Sequence, residues 1–288
     1  MDKTHQACIV CKCGDIFAKY IINGFHIVQC RGCSLLFVAE KLSPDELDAY
    51  SKKEIAGEQE YTYIDNENIK NLNYYYNQLS VLIHNRISQG KILDVGCSAG
   101  YFLDCMPGWE RYGIEPVVFQ AEKAKEKYGD NIHIGTLDDC QYPDGFFDVI
   151  TLQDSLDHMP NPLVAIEKCH TFLNPKGLLV IKVHDFSCLS AKIMKSKFYA
   201  FIPPFHLVYF NRSNLFKMLA LGRFKVEQYK YITQLLFIKT ALFRLSQNNK
   251  KSIFYYFYRM LNYTSFKNIK IKKNLHDIIT VFARKSNV

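Results

Sequence analysis

Apolar and polar positions switch between two periods along the chain, most clearly in its middle third. Lys91-Ile-Leu-Asp-Val95 reads as a short apolar strand that runs into the small residues Gly96-Cys-Ser98-Ala-Gly100, and residues 101–106 read as the start of a helix. A strand at 111–114, a helix over 117–128 and a strand at 131–134 follow. Then come a strand at 147–152, a helix over 162–173 and a strand at 178–183. Repeating strand and helix units predict a mainly parallel sheet covered on both faces, with ligands held at the carboxyl ends of its strands. Further on, residues 211–221 predict a helix stopped by Gly222, with sixth and seventh strands at 223–229 and 277–285. Upstream, Leu72, Tyr75 or Tyr76, Leu79, Leu82, Ile83 and Ile87 recur at helical spacing, which predicts a helix packed on the domain that follows, its tyrosines in the core. Ser43-Pro44-Asp45-Glu46 reads as an earlier helix start, and Tyr61-Thr-Tyr63 lies between the two.

Composition is ordinary for a globular chain of 288 residues, with 48% apolar and 22% charged positions. No basic start joins an apolar run and no apolar stretch approaches a spanning helix, so the expected setting is cytoplasmic. The ten cysteines change the picture, because four of them fall into Cys8-Ile-Val-Cys11 and Cys30-Arg-Gly-Cys33. In a chain without a leader, such pairs favour metal over disulfides. Cys8, Cys11, Cys30 and Cys33 can close a tetrahedral zinc shell, and Asn23-Gly24 between them is a preferred hairpin turn. Paired knuckles joined by a hairpin describe a zinc ribbon with a structural metal. The competing reading is a redox-sensitive or simply buried set of thiols. Cys13 stands outside both pairs and is read as a spare thiol.

Small residues after the first strand let a ligand approach the backbone closely, and Glu115 follows Asp94 by 21 residues, where an acid holds a ribose diol. The loop is not G-x-G-x-x-G, which argues against a dinucleotide. Leu93-Asp94-Val95-Gly96-Cys97-Ser98-Ala99-Gly100, Tyr112-Gly-Ile-Glu115-Pro116, Gly135-Thr-Leu-Asp138, Phe146-Phe-Asp148-Val-Ile150, Leu156-Asp157-His158 and Phe172-Leu-Asn-Pro-Lys-Gly177 occur in that order. Together they resemble the ordered motifs of class I S-adenosylmethionine-dependent methyltransferases over residues 90–185. The resemblance implies an α/β fold with a Rossmann-like seven-stranded methyltransferase sheet and a small N-terminal zinc-ribbon module. It implies a zinc ribbon over 1–40, a helical linker and lid over 41–89, and a methyltransferase domain over 90–288 with an inserted segment at 230–275. It also implies S-adenosylmethionine as cofactor, with Gly96 and Gly100 beside its methionine part and Glu115 on the ribose hydroxyls. Leu137 and Asp138 would border the adenine, and Gln153, Asp154 and Ser155 would line the cofactor after the fourth strand. Asp94, Ser98, Tyr101, Phe102 and Pro116 complete the set. Ser98 stands where the family has its middle glycine, and Asp157 replaces a frequent glutamate. Asp148 reads as a strand-edge or turn residue.

Charge divides the chain. Residues 1–181 hold 16 Lys and Arg against 25 Asp and Glu, a net −9, whereas residues 182–288 hold 20 against 3, a net +17. An anionic partner for the C-terminal part follows from that asymmetry. Phe201-Ile-Pro203-Pro204-Phe205-His206-Leu-Val-Tyr209-Phe210 resembles a stretch found after the fifth strand in zinc-ribbon members of the family. His206 is the leading candidate base, with His184 and His158 behind it, and Tyr209 would orient the acceptor. His158 has a second reading, as a loop residue held by hydrogen bonds. The resemblance implies O-methylation of a saccharide or nucleotide-sugar, an anionic small-molecule or glycan acceptor. RNA methylation is the enzyme alternative, and a non-catalytic zinc-ribbon interaction protein on the same scaffold is the third reading. The inserted segment reads as a substrate cap or dimer contact, as a basic amphipathic surface for peripheral membrane contact, or as a helical excursion with a solvated face.

Overall fold

The structure, a computed structural model, describes residues 3–43, 45–47, 49–50, 66–246, 249–264 and 269–286. Ser43 and Glu46 exchange hydrogen bonds as a capping box at the first helix start, whereas Pro44, Tyr61 and Tyr63 lie outside the described residues. The strands are β1 (Ile16–Ile22), β2 (Phe25–Cys30), β3 (Leu36–Val38), β4 (Lys91–Val95), β5 (Glu110–Glu115), β6 (Ile132–Ile134), β7 (Phe147–Gln153), β8 (Leu173–His184), β9 (Val208–Tyr209), β10 (Phe224–Lys230), β11 (Gln234–Phe237), β12 (Lys270–Lys273) and β13 (Ile278–Lys285). The helices are α1 (Asn66–His84), α2 (Val118–Tyr128), α3 (Pro162–Phe172), α4 (Leu189–Met194), α5 (Arg212–Leu221), α6 (Ile238–Ser246) and α7 (Ile253–Asn262).

Among the described residues, seven strands form one sheet in the order β10-β13-β8-β7-β4-β5-β6. The pairs from β8 through β7, β4 and β5 to β6 are parallel, and β13 runs antiparallel to both of its neighbours. This is the expected α/β, Rossmann-like sheet. Its strands read as continuous apolar runs because neighbouring residues enter cores on opposite faces. Ile92, Val149, Leu178 and Val180 pack beneath α1 with Leu79 and Ile83. Leu93, Ile150, Leu179 and Ile181 pack on the other face with α3 and α5.

Two local expectations change. The short segment after β4 forms only a 3₁₀ turn, Leu103–Cys105, because Pro107 follows and bars Met106 from helical geometry. The strand expected at 178–183 begins earlier, at Leu173 of β8, which already pairs with Phe147 across a bulge. Gly222 does close α5, but with φ −79; the left-handed residue is Arg223 at φ 62. A side chain at Gly222 would strike Ile166 at 2.4 Å, so packing is what requires the glycine.

The N-terminal residues form a second sheet in the order β1-β2-β3-β9, so its fourth strand comes from beyond β8. Leu36 pairs with Tyr209 and Phe37 with Val208. Asn23 and Gly24, at φ 50 and 82, make the β1–β2 turn. Ile27, Leu35 and Phe37 continue the α3-side core of the large sheet. The N-terminal cysteine module is thus packed into the fold.

Candidate functional site

The polar groups gather at the carboxyl ends of β4, β5, β7 and β8, around the point where the crossovers part to either side of β4. Gly96 sits there at φ +82, and a Cβ on it would meet the Ser155 side chain at 2.8 Å. On Gly100, at φ +79, a Cβ would come within 2.6 Å of the Tyr128 ring. Ser98 adopts φ 49, a left-handed conformation that glycine takes freely. Its backbone N–H donates to Glu115 Oε2 at 2.9 Å, and that of Val117 donates to Oε1 at 2.9 Å. Burial pushes the Glu115 carboxyl up, and these two donors oppose the shift.

Asp94 is buried, and burial pushes its carboxyl up to about 6 although Thr151 donates to it at 2.5 Å. At the end of β7, both amide atoms of Gln153 and the Ser155 hydroxyl are buried without a hydrogen-bond partner. Buried polar atoms are seldom left so, and three beside a glycine that cannot carry a side chain form a cradle for a polar ligand. Asp154, at φ 53, pairs with Lys182 of β8.

Not every expected cofactor residue joins this cradle. Phe102 is 1% exposed and packs on Tyr76, so it serves the core. Tyr101 is half-buried with Lys127 over its ring. Leu137 is buried, whereas Pro116 and Asp138 are exposed. Asp148 accepts from Lys91 N at 2.7 Å and Asn174 Nδ2 at 2.5 Å, as a residue that ties strand ends. A shallow hollow of about 830 Å³ near Asp148, lined also by Arg86, Asn174 and Arg284, lies at the opposite end of the strands.

Next to the cradle, three imidazoles surround Asp157, whose two oxygens are buried and without a hydrogen-bond donor. His158 Nε2 lies 3.8 Å from Oδ1, His206 Nε2 3.8 Å from Oδ2 and His184 Nδ1 4.0 Å from Oδ2. Burial alone would raise the Asp157 carboxyl, but the charges available on His206 and His158 hold it well below the usual range. His158 and His206 each use Nδ1 on a backbone carbonyl, Phe205 O at 2.9 Å and Ala200 O at 2.8 Å, which fixes both rings. Burial pushes His206 down to about 4, so its ring is neutral near pH 7. His184 turns a buried Nδ1 toward Asp157, while its side chain keeps 14% exposure.

Tyr209 does not face this space: it is 1% exposed and its hydroxyl donates to His206 O at 2.8 Å. Its place in the core makes it a support for His206, not a group that touches an acceptor. The structure adds Thr151, Lys182 and Tyr199, whose ring centroid lies 5.6 Å from that of His184. Lys182 had a signal, a lone cation inside the apolar run Leu178–His184; the other two had none.

At the N-terminus, Cys8 Sγ lies 3.6 Å from Cys33 Sγ, and Cys11 Sγ lies 3.5 Å from Cys30 Sγ. All four sulfurs fall within 4.8 Å of one another, and Cys13 is outside the group. The two turns share one backbone pattern. Lys12 N donates to Cys8 O as Ser34 N does to Cys30 O, and Cys8 N donates to Cys13 O as Cys30 N does to Leu35 O. Lys12 and Ser34 both take the left-handed conformation, at φ 60 and 61.

Two ubiquinone biosynthesis O-methyltransferases are similar to part of the chain. That of Haemophilus ducreyi is 33% identical over 103 residues, 32% of this chain and 44% of its own length. That of Histophilus somni is 33% identical over 107 residues, 33% of this chain and 45% of its own. The chain therefore spans less than half the length of these curated relatives. Among solved structures, a Burkholderia thailandensis 1,6-didemethyltoxoflavin-N1-methyltransferase with bound S-adenosylhomocysteine shares the fold at TM-score 0.52 and 13% identity, covering 94% of this chain and 99% of its own. The Bacillus subtilis YcgJ protein does so at TM-score 0.51 and 16% identity, covering 75% and 100%. The methyltransferase domain family matches residues 67–229, more than half of the sequence. That range runs from α1 into β10 and takes in the cradle, and the chain belongs to the methyltransferase domain family.

Proposed function

We propose that the chain is an S-adenosylmethionine-dependent O-methyltransferase whose acceptor is a hydroxyl of a saccharide or nucleotide-sugar. The observation that carries the cofactor reading is the unpaired, buried set Gln153 and Ser155 beside Gly96, with the Glu115 carboxylate one strand away. Gly96, Ser98 and Gly100 would lie along the methionine part, Glu115 would take the ribose hydroxyls, and Leu137 would border the adenine. When bound, S-adenosylmethionine would supply an electrophilic methyl group on a sulfonium, whose neutral thioether leaves without help from an acid. The chain's own work is to place the acceptor in line and remove its proton.

We place the base at His184 in preference to His206. His206 is 5% exposed, with one nitrogen on Ala200 and the other toward Asp157. His184 has Asp157 on its Nδ1 side, which leaves Nε2 to take the hydroxyl proton while the carboxylate steadies the imidazolium. His158 and His206 flank Asp157, each at 3.8 Å. Support for an oxygen acceptor comes from the O-methyltransferase relatives, and support for an anionic one from the +17 charge of residues 182–288.

Zinc suits the four thiolates. A tetrahedral shell with bonds of about 2.3 Å sets sulfurs about 3.8 Å apart, close to the observed 3.5 and 3.6 Å. It would hold the ribbon together and leave no open position for chemistry. Calorimetry with S-adenosylhomocysteine, followed by labelled methyl transfer to nucleotide-sugars, glycans and RNA, tests the reading. Binding is expected in the wild type and in His184→Gln, with turnover of the accepted substrate lowered about 10²- to 10⁴-fold in the variant. Absence of binding in the wild type would overturn the cofactor assignment, and transfer to RNA alone would overturn the acceptor.

A further inference from the structure

The segment between β10 and β13 carries an element that the methyl-transfer reading leaves unused. Not one residue of α7 is buried, although Ile-Phe-Tyr-Tyr-Phe-Tyr-Arg-Met-Leu-Asn is almost wholly apolar and aromatic. One side faces α6: Tyr255, Tyr258 and Leu261 are half-buried, and Tyr258 packs on Phe243 at 5.2 Å between ring centroids. The other side presents Ile253, Tyr256, Phe257 and Met260 at helical spacing, continued by Tyr263, with Tyr256 66% and Tyr263 84% exposed. Ile271 in β12 and Leu275 just after it are exposed too.

Charge identifies what covers this ridge. Residues 228–276 contain ten Lys and Arg and no Asp or Glu. Lys250 and Lys251 stand exposed just before α7, and Arg259 borders its apolar side one turn from Tyr256 and Tyr263. No ion pair among the described residues uses Lys250, Lys251, Arg259 or Lys272. A second copy seated by two-fold symmetry would bring the same acid-free segment against itself, cation on cation. A nucleic acid would use the charge, but Ile253, Met260, Ile271 and Leu275 offer no ring to stack on a base. An anionic bilayer uses both properties. The apolar side chains enter the boundary between headgroups and acyl chains, tyrosine hydroxyls stay wet, and the long cations reach lipid phosphates. No helix among the described residues is long and apolar enough to cross a membrane, so such a contact is interfacial.

We propose that α7, with Lys250, Lys251 and Arg259, seats the protein flat on an anionic membrane surface. The segment returns to the large sheet through Lys273, which pairs with Asp277, and Tyr199 donates to Asp277 at 2.5 Å. The seated element therefore connects to the acceptor end of β8, beside His184. Sedimentation of the full chain with vesicles of phosphatidylcholine alone, or with about 30% phosphatidylglycerol, tests this. Association is expected with the anionic vesicles, at least about tenfold weaker with neutral ones and weaker as salt rises. The triple variant Tyr256→Ser, Phe257→Ser, Met260→Ser should lose association about tenfold or more with an unchanged thermal midpoint, since these side chains are exposed. Lys250→Gln with Lys251→Gln and Arg259→Gln should lose the anionic preference alone. The proposal is overturned if the wild type ignores both vesicles, or if the triple variant binds them as the wild type does. It is also overturned if the triple variant instead turns a dimer into a monomer, or loses binding to single-stranded RNA while keeping the vesicles.

Discussion

Asp94 shows how one side chain can be legible as a motif and opaque as chemistry. Its place after Ile92-Leu93 marks it as a strand end beside a ligand loop, but its titration depends on burial that two neighbouring strands impose. With its carboxyl pushed up to about 6 from an ordinary 3.8, the native state holds a proton that the unfolded chain has released between those two values. Stability from this residue therefore falls as pH rises through that window, and the full cost stands above pH 6. Asp94→Asn is expected to stabilise the cofactor-free protein by about 2–3 kcal/mol at pH 8, with the gain fading near pH 4. Urea unfolding at both pH values checks this; an equal gain at each would show that the carboxyl charge is not the cause. Ser98 and Tyr209 are further cases at this scale. Ser98 departs from the expected residue type, yet it holds the left-handed turn regardless. Tyr209 has the chemistry of an acceptor contact, yet it is a buried support for His206.

Elements were legible wherever the pattern was long. α2, α3 and α5 and the strands of the large sheet fall close to their expected bounds, because an apolar face repeated over two or more turns admits few alternatives. The exceptions are short: the 3₁₀ turn at Leu103–Cys105 had a proline after it, and β8 begins earlier than its apolar run because pairing with Phe147 extends it. Ends set by side-chain chemistry are testable alone. Asn211 caps α5, accepting from Asn214 N at 2.9 Å while Asn214 Oδ1 accepts from Asn211 N at 2.9 Å. Asn211→Ala should cost about 1 kcal/mol, seen as a lower urea midpoint with an unchanged slope.

At the scale of the whole molecule, the N-terminal cysteine module and the site are one mechanical unit. β3 pairs with β9, Val38 N donates to Leu207 O at 2.9 Å, and Leu207 N donates to Asp157 O at 2.8 Å. That chain of backbone bonds runs from the cysteine module to the carboxylate amid the three histidines, and leaves Gly96 and Glu115 untouched. Treatment with a chelator, which would strip the proposed zinc, is therefore expected to lower acceptor turnover by about 10²-fold while S-adenosylhomocysteine affinity holds. Parallel loss of both, measured by calorimetry and methyl transfer on one sample, would mean that metal removal unfolds the whole chain instead.

The αβ alternation, the glycine loop, the acid after the second sheet strand and the paired cysteines are local in the chain, and local spacing is enough to read them. Hydrophobic period and turn chemistry act over a few residues, so they are written in order along the sequence. The histidine cluster is different in kind. Asp157, His184 and His206 come from three separate elements, and only the crossing of β7, β8 and the β9 segment decides which nitrogen meets which oxygen. Burial, which holds His206 neutral and leaves His184 partly open, is a property of all the neighbours at once. No stretch of chain records it, and for that reason the exposure of each histidine is legible only in the fold.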